Sequence, residues 1–342
     1  MKTIRELDLR GLRLLDGGLA TELERRGFDL SGPLWSAKLL ASAPEAIAAV
    51  HDDYLEAGAD CLMTASYQVS AEGFQALGYG APTAAKAAAG ALRRAVEIAV
   101  EARGRYESAA RRRSETPRKI WIAASLGSYG AALANGAEYH GNYPCSSPEL
   151  TEFHRRRLAA LATLEADFVA FETIPSLEEA RAIADALRQG PPLPACISFA
   201  CRDGLRVAHG ERLAECAEAL LGEPAVIALG INCTPPEYAV SLIQQLRSCG
   251  AGGAGGKPIA VYPNSGERWD AQRRRWADAG GAGRQLSKDP GEFAKLAGQW
   301  LEAGAQWIGG CCRTGPEHIR AIARELSRAA PLPPHATMGS PK

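Results

Sequence analysis

Eight short apolar runs, rich in small and β-branched residues, recur about every 40 residues, and this repetition constrains the fold more than any other feature. They occupy 12–15, 61–64, 120–125, 168–171, 195–199, 226–230, 259–262 and 307–308. Between them, 44–57, 148–166, 177–188, 236–247 and 290–303 carry apolar residues at three- and four-residue steps with charges in between, the pattern of helices with one buried face. Ser147-Pro148 and Asp289-Pro290 read as a cap residue followed by proline in the first helical turn. Ser176 with Glu179 reads as a capping box. Strands that are apolar throughout and alternate with helices belong to a parallel sheet covered on both faces. Eight such units imply an α/β fold, a (β/α)8 barrel over 1–330, with the proline-rich 331–342 as a frayed tail. An open doubly wound sheet is the alternative, but Asp16-Gly17-Gly18 after the first run lacks the glycine spacing of a dinucleotide site. Two segments read as decoration. The stretch 103–119, with Arg111-Arg112-Arg113, is a solvated helix end or loop, and 249–256, nearly all glycine and alanine, is a flexible connection.

Bulk chemistry narrows the function classes. Lysine plus arginine equals aspartate plus glutamate at 39 each, so a formal charge of zero offers no field for nucleic acid or an anionic membrane. The charged start, MKTIRELDLRGLRLLDGG, has no apolar signal core, and no apolar run reaches the roughly 20 residues that span a bilayer. The expectation is a cytoplasmic protein, a monomer or small homo-oligomer, acting on small molecules. Nine cysteines, an odd number with Cys311 and Cys312 adjacent, read as reduced thiols rather than a disulfide framework. Cys61, Cys196, Cys201, Cys216 and Cys249 read as small buried hydrophobes, and Cys145 sits in a polar loop.

The loops after the strands of such a barrel build its active site. The runs here are followed by Asp16-Gly17-Gly18, Thr64–Gln68, Glu172-Thr173, Asn232-Cys233, Pro263–Glu267 and Gly309–Arg313. Cys233 follows the sixth run, while Cys311 and Cys312 follow the eighth, so three thiols converge on one side of the rim. Three thiolates with an open fourth position suit catalytic zinc, and soft sulfur selects zinc over magnesium or calcium. Adjacent cysteines can share one ion if the chain leaves strand geometry, a freedom expected from Gly309-Gly310. Burial of the trio or a vicinal disulfide are the competing readings. A closed structural zinc lacks a fourth ligand at suitable spacing, since His318 reads as a surface helix residue.

DGGLATELERRG (16–27), TASYQ (64–68), GSYGAALANGAEYHGNY (127–143), ETIPS (172–176), GINCTPP (230–236), YPNSGE (262–267) and GGCCRT (309–314) resemble the homocysteine S-methyltransferase family. The resemblance runs in order from about residue 14 to 322, and is strongest to the branch that uses S-methylmethionine. It implies that Cys233, Cys311 and Cys312 hold zinc and that the thiolate of homocysteine is the fourth ligand. The thiolate then takes a methyl group from a sulfonium donor, S-methylmethionine or S-adenosylmethionine, to give methionine. Asp16 and Glu172 are candidates for the substrate ammonium, and the amides of Gly17 and Gly18 for its carboxylate. Ser66 and Tyr67 are candidates for contact with the donor or the metal. Asn232, Asn264 and Ser265 are expected to fix the metal-binding loops. Arg313 either braces its loop or touches substrate, and Trp35 reads as core. Two other readings stand beside this one. A betaine-using methyltransferase would favour an aromatic cage, which a chain with 6% aromatic residues is poorly supplied to build. A barrel keeping zinc as a structural or redox element would form no methionine at all. Acceptance of seleno-substrates is left open by the sequence.

Overall fold

The computed structural model describes residues 7, 9, 11–32, 34–253, 255–270, 275–277 and 289–329. The expected tail at 331–342 lies outside them. The strands are β1 (Arg13–Leu14), β2 (Cys61–Met63), β3 (Trp121–Gly127), β4 (Phe168–Ile174), β5 (Ala195–Phe199), β6 (Val226–Asn232), β7 (Ile259–Tyr262), β8 (Arg268–Asp270), β9 (Arg275–Ala277) and β10 (Trp307–Ile308). Eight of them form one sheet in the order β1-β10-β7-β6-β5-β4-β3-β2. Every neighbouring pair is parallel. A parallel bridge from Leu15 to Cys61 joins the two ends of that order, so the sheet curls into a nearly closed barrel and the doubly wound alternative falls away. The antiparallel pair β8–β9, which periodicity did not suggest, follows β7.

Helices cover the barrel as the pattern requires. Pro44–Ala57 and Pro290–Ala303 match the sequence reading, and Asp289 caps the latter by accepting from the Gly291 and Glu292 amides. The cap of Ser147–Leu161 is Ser146, one residue earlier than read, in a capping box with Glu149. The expected helix at 236–247 is a 3-10 turn, Pro236–Tyr238, that runs into Ala239–Ser248. Residues 103–112 are the end of a 32-residue helix, Ala81–Arg112. Its buried face is mostly alanine, with Ala84, Ala88, Ala95, Ala99 and Ala102 at helical steps around the larger Leu92, Val96 and Ile98. Among the described residues no helix is long and apolar enough to cross a membrane.

Strand alternation divides the buried residues into two sets. One set packs between sheet and helices; the other fills the barrel and includes Trp121, Phe168, Trp307, Ala123, Ala170 and Ala260. Trp121, Phe168 and Trp307 begin their strands, so a floor of edge-on rings closes the amino-terminal end, with centroids 5.4–6.0 Å apart. Two and four residues further along, the same inward faces of β3 and β4 carry Ala123 and Ala170, then Ser125 and Glu172. The barrel therefore passes from aromatic to small to polar as it approaches its carboxyl-terminal mouth.

Candidate active site

At that mouth lies a cavity of about 610 Å³. Asp16, Gly17, Gly18, Tyr67, Glu172, Asn232, Cys233, Cys311 and Cys312, all singled out from sequence, line it. Glu172 and Asn232 sit in the last residues of β4 and β6 rather than beyond them, because inward polar side chains do not interrupt a parallel ladder. The next residue in each case, Thr173 (φ 59°) and Cys233 (φ 49°), takes the left-handed conformation. Non-glycine residues held there store strain of about 1–3 kcal/mol, typical of functional sites. At Cys233 the turn lifts the thiol toward the β10 loop.

The three sulfurs meet there. Cys233, Cys311 and Cys312 have their Sγ atoms within 4.8 Å of one another, with Cys233 and Cys312 3.4 Å apart. Tetrahedral zinc with metal–sulfur bonds of about 2.3 Å needs its sulfurs about 3.8 Å apart, so the donor set fits that ion. Hydrogen bonds from Cys311 and then Cys312 pull the Cys233 thiol well below its ordinary range. The same interaction with Cys233 pushes both partners up. Gly309 and Gly310, from which freedom to leave strand geometry was expected, do not take the left-handed conformation. They supply room: a Cβ on Gly309 would stand 2.8 Å from the Asp16 carbonyl, and one on Gly310 2.2 Å from Thr314 Oγ1. The left-handed residue of this loop is Arg313 (φ 67°).

The loops carrying the thiols are braced from outside. Asn264 Nδ2 donates to the Cys233 carbonyl and the Ser265 amide to the Cys312 carbonyl. Arg313 pairs with Glu267 at 2.8 Å and lies outside the cavity lining, which makes it a brace. Asn232 bonds Thr173 through both ends of its amide and reaches toward Cys311 Sγ at 3.9 Å.

The acidic residues are deeply buried. Asp16 accepts from the Met63 amide at 2.8 Å, yet burial still raises its carboxyl well above the usual range. Burial pushes Glu172 up to about 7 despite its hydrogen bond from Ser125. Other expectations need correction. The Gly18 amide is taken by the Thr314 carbonyl at 2.9 Å, so it is not free for a substrate carboxylate. The Ser66 hydroxyl donates to the Ser125 carbonyl and pairs with Thr64, and Ser66 does not line the cavity. Trp35 packs on the core but also lines the cavity, edge-on to Tyr67 at 6.0 Å. His318 is not at the surface: it is buried against Phe293, its Nδ1 accepting from the Gly315 amide. Cys249 is half-buried, whereas Cys61, Cys196, Cys201 and Cys216 are buried as read. Aromatics are also better represented than composition suggested, since Phe28, Trp35, Tyr67, Tyr139 and Tyr262 line the cavity.

Sequence reasoning on strand ends passed over the loop after β3. It brings Glu138 and Tyr139 into the cavity, with the Tyr139 hydroxyl 3.6 Å from Cys233 Sγ. The segment lies within GSYGAALANGAEYHGNY (127–143), one of the stretches that carry the family resemblance, but the sequence reading assigns no residue of it a role. The charge inventory among the described residues is one-sided: Asp16, Glu24, Asp29, Glu138 and Glu172 line the cavity together with three thiols, and no described lysine, arginine or histidine does.

Comparison with known proteins agrees with this geometry. The sequence model of a family described as homocysteine S-methyltransferase matches residues 13–326. The chain is 47% identical over 317 residues to homocysteine S-methyltransferase YbgG of Bacillus subtilis, covering 93% of this chain and 95% of that one. It is 44% identical over 323 residues to a selenocysteine Se-methyltransferase of Brassica oleracea, covering 92% and 89% respectively. The metallated crystal structure of the homocysteine methyltransferase MmuM from Escherichia coli superposes with a TM-score of 0.77 at 38% identity, covering 94% of this chain and 99% of that one.

Proposed function

The chain belongs to the homocysteine S-methyltransferase family, and from that premise we propose that 1–330 works as one zinc-dependent catalytic unit that methylates homocysteine from a net-cationic sulfonium donor, S-methylmethionine or S-adenosylmethionine. The observation that carries the reading is the cluster of three thiols opening onto a cavity lined by carboxylates and, among the described residues, by no basic side chain. Cys233, Cys311 and Cys312 would hold the ion, leaving one tetrahedral position for the substrate sulfur. When bound, zinc supplies the charge that keeps a thiol ionised near neutral pH. Three thiolates against a doubly charged ion leave a net negative centre, which keeps the acceptor sulfur electron-rich.

The remaining steps belong to the chain. Asp16 and Glu172 take the homocysteine ammonium, and the Gly17 amide its carboxylate. The homocysteine sulfur attacks the methyl carbon in line, a new sulfur–carbon bond forms, and the donor's bond breaks with its electron pair leaving on a now neutral thioether. No proton moves at this step, so positioning two substrates in one water-poor cavity is the main contribution, worth several kcal/mol. Tyr67, beside Trp35, would flank the donor.

Donor charge decides between branches, because aromatics line the cavity and would tolerate any onium methyl group. S-methylmethionine and S-adenosylmethionine carry a net positive charge that the acidic lining favours; betaine is neutral overall. A formal charge of zero on the chain favours small-molecule chemistry over nucleic-acid or membrane binding, and we place the enzyme in the cytoplasm. The test is methionine formation from homocysteine with S-methylmethionine, S-adenosylmethionine and betaine in parallel, on the purified protein and on Cys312→Ser. The sulfonium donors are expected to exceed betaine by at least tenfold. The Cys312→Ser variant is expected to lose zinc and activity together, as measured by metal analysis and turnover. Preference for betaine, or full activity without metal, would overturn the reading.

A further inference from the structure

The loop after β3 places a carboxylate in the cavity that the steps above do not use. Ser128 caps the short helix Tyr129–Ala132, and Gly136 (φ 86°) turns the chain into a 3-10 turn, Ala137–Tyr139. Gly130 permits the turn to fold onto that helix: a Cβ there would stand 2.5 Å from the Glu138 amide nitrogen. Glu138 is consequently 8% exposed and lines the cavity. Its Oε2 is buried without a hydrogen-bond partner among the described residues. Burying an ionised carboxylate unpaired is strongly unfavourable, and burial pushes this one up to about 7. Among the described residues no basic side chain lines the cavity to serve as its counter-ion.

The position of Glu138 specifies which cation fits. Tyr139, its neighbour, reaches Cys233 Sγ at 3.6 Å, so this turn borders the thiol cluster where the acceptor sulfur must lie. In-line transfer puts the donor sulfur on the far side of the methyl group from the acceptor, within a few ångströms of the cluster. We propose that Glu138 is the counter-ion for the donor's sulfonium sulfur, and hence a donor-specificity residue of this site. The inference rests on the sulfonium reading given above.

Its kinetic signature differs from that of a structural residue. Positive charge on the donor sulfur is dispersed as the methyl leaves, so a carboxylate beside it stabilises the bound donor more than the transition state. Removing it weakens donor binding and does not slow the chemical step. For Glu138→Gln the donor KM is expected to rise about tenfold or more, equivalent to about 1.4 kcal/mol. Its kcat should be unchanged or higher, with homocysteine KM and zinc content within twofold of the unsubstituted protein. Glu138→Asp should recover part of the loss. A sulfonium carboxylate lacking the α-amino group should suffer the same rise in KM. If the rise vanishes with that donor, Glu138 binds the ammonium instead and the proposal is overturned. An unchanged donor KM, or a parallel loss of kcat and both KM terms, overturns it too. Because the unsubstituted protein is assayed alongside, failure of this inference alone leaves sulfonium turnover intact, whereas absence of any sulfonium turnover defeats both.

Discussion

Glu172 shows how a single position on a strand is converted into chemistry. It is the fifth residue of β4, on the inward face shared with Phe168 and Ala170, so alternation alone aims it at the mouth. Burial raises its carboxyl to about 7, which means that the folded chain holds the proton more tightly than the unfolded chain does. The sign follows. Its contribution to stability is greatest at acid pH and is lost as pH rises through about 7, whereas pairing with a substrate ammonium requires the ionised form. The homocysteine kcat/KM is therefore expected to fall as pH drops below about 7, and Glu172→Gln should make that limb shallower, leaving the part that Asp16 contributes. The same variant should raise the homocysteine KM about 10- to 100-fold, the scale of a lost charged hydrogen bond, and be no less stable at pH 8. Steady-state kinetics and thermal melts between pH 5.5 and 8.5 check both statements. An unchanged homocysteine KM would remove Glu172 from the ammonium site.

At the scale of elements, the loop that delivers Glu138 and Tyr139 is tied to the barrel by a buried polar network. Glu179 accepts from the Tyr129 amide at 2.6 Å, from the Tyr143 hydroxyl, and from His154 Nε2 at 3.0 Å. Burial lowers His154 to about 4, so it is neutral, and its Nδ1 accepts from Arg157, which also donates to the Gly127 carbonyl. The network thus joins helices Ser147–Leu161 and Leu177–Gln189 to both ends of the segment after β3. Glu179→Ala leaves His154 Nε2, the Tyr129 amide and the Tyr143 hydroxyl without their acceptor and the buried Arg157 without its nearby opposite charge, and should destabilise the fold by about 3–5 kcal/mol. In a denaturant titration a loss under about 1 kcal/mol would show that the network is not what secures the loop. This is also where sequence reading went astray. Ser176 does cap its helix by accepting from the Glu179 amide, but the Glu179 side chain turns inward instead of closing the box. A capping motif identifies the residue types at a helix start, not which side chain a neighbouring helix will claim. The alanine-rich Ala81–Arg112 escaped notice for a related reason: its buried stripe is too weakly hydrophobic to announce itself. His318 was misjudged because one histidine in a charged helix says nothing about the Phe293 ring packed over it.

At the scale of the whole molecule, the barrel separates what stabilises it from what reacts in it. Regular repetition made the eight strands legible, and the polar residues past their ends located most of the cavity; the Glu138 turn stayed hidden because its placement depends on packing between distant segments. The amino-terminal floor of Trp121, Phe168 and Trp307 is fully enclosed, with Arg13 stacked over Trp121 at 4.7 Å. In such barrels the floor bears on stability and the opposite mouth on catalysis. Trp307 tests that division within one strand, since β10 starts at the floor and its following loop carries Cys311 and Cys312. Trp307→Ala would open a cavity among the rings and should lower stability by about 3–5 kcal/mol. If the layer of Ala123, Ala170 and Ala260 isolates floor from mouth, the variant assayed well below its melting point should keep zinc content and both substrate KM values within about twofold. Loss of zinc together with stability would show instead that the position of the β10 loop is set from the floor, and that the barrel transmits packing strain along its full height.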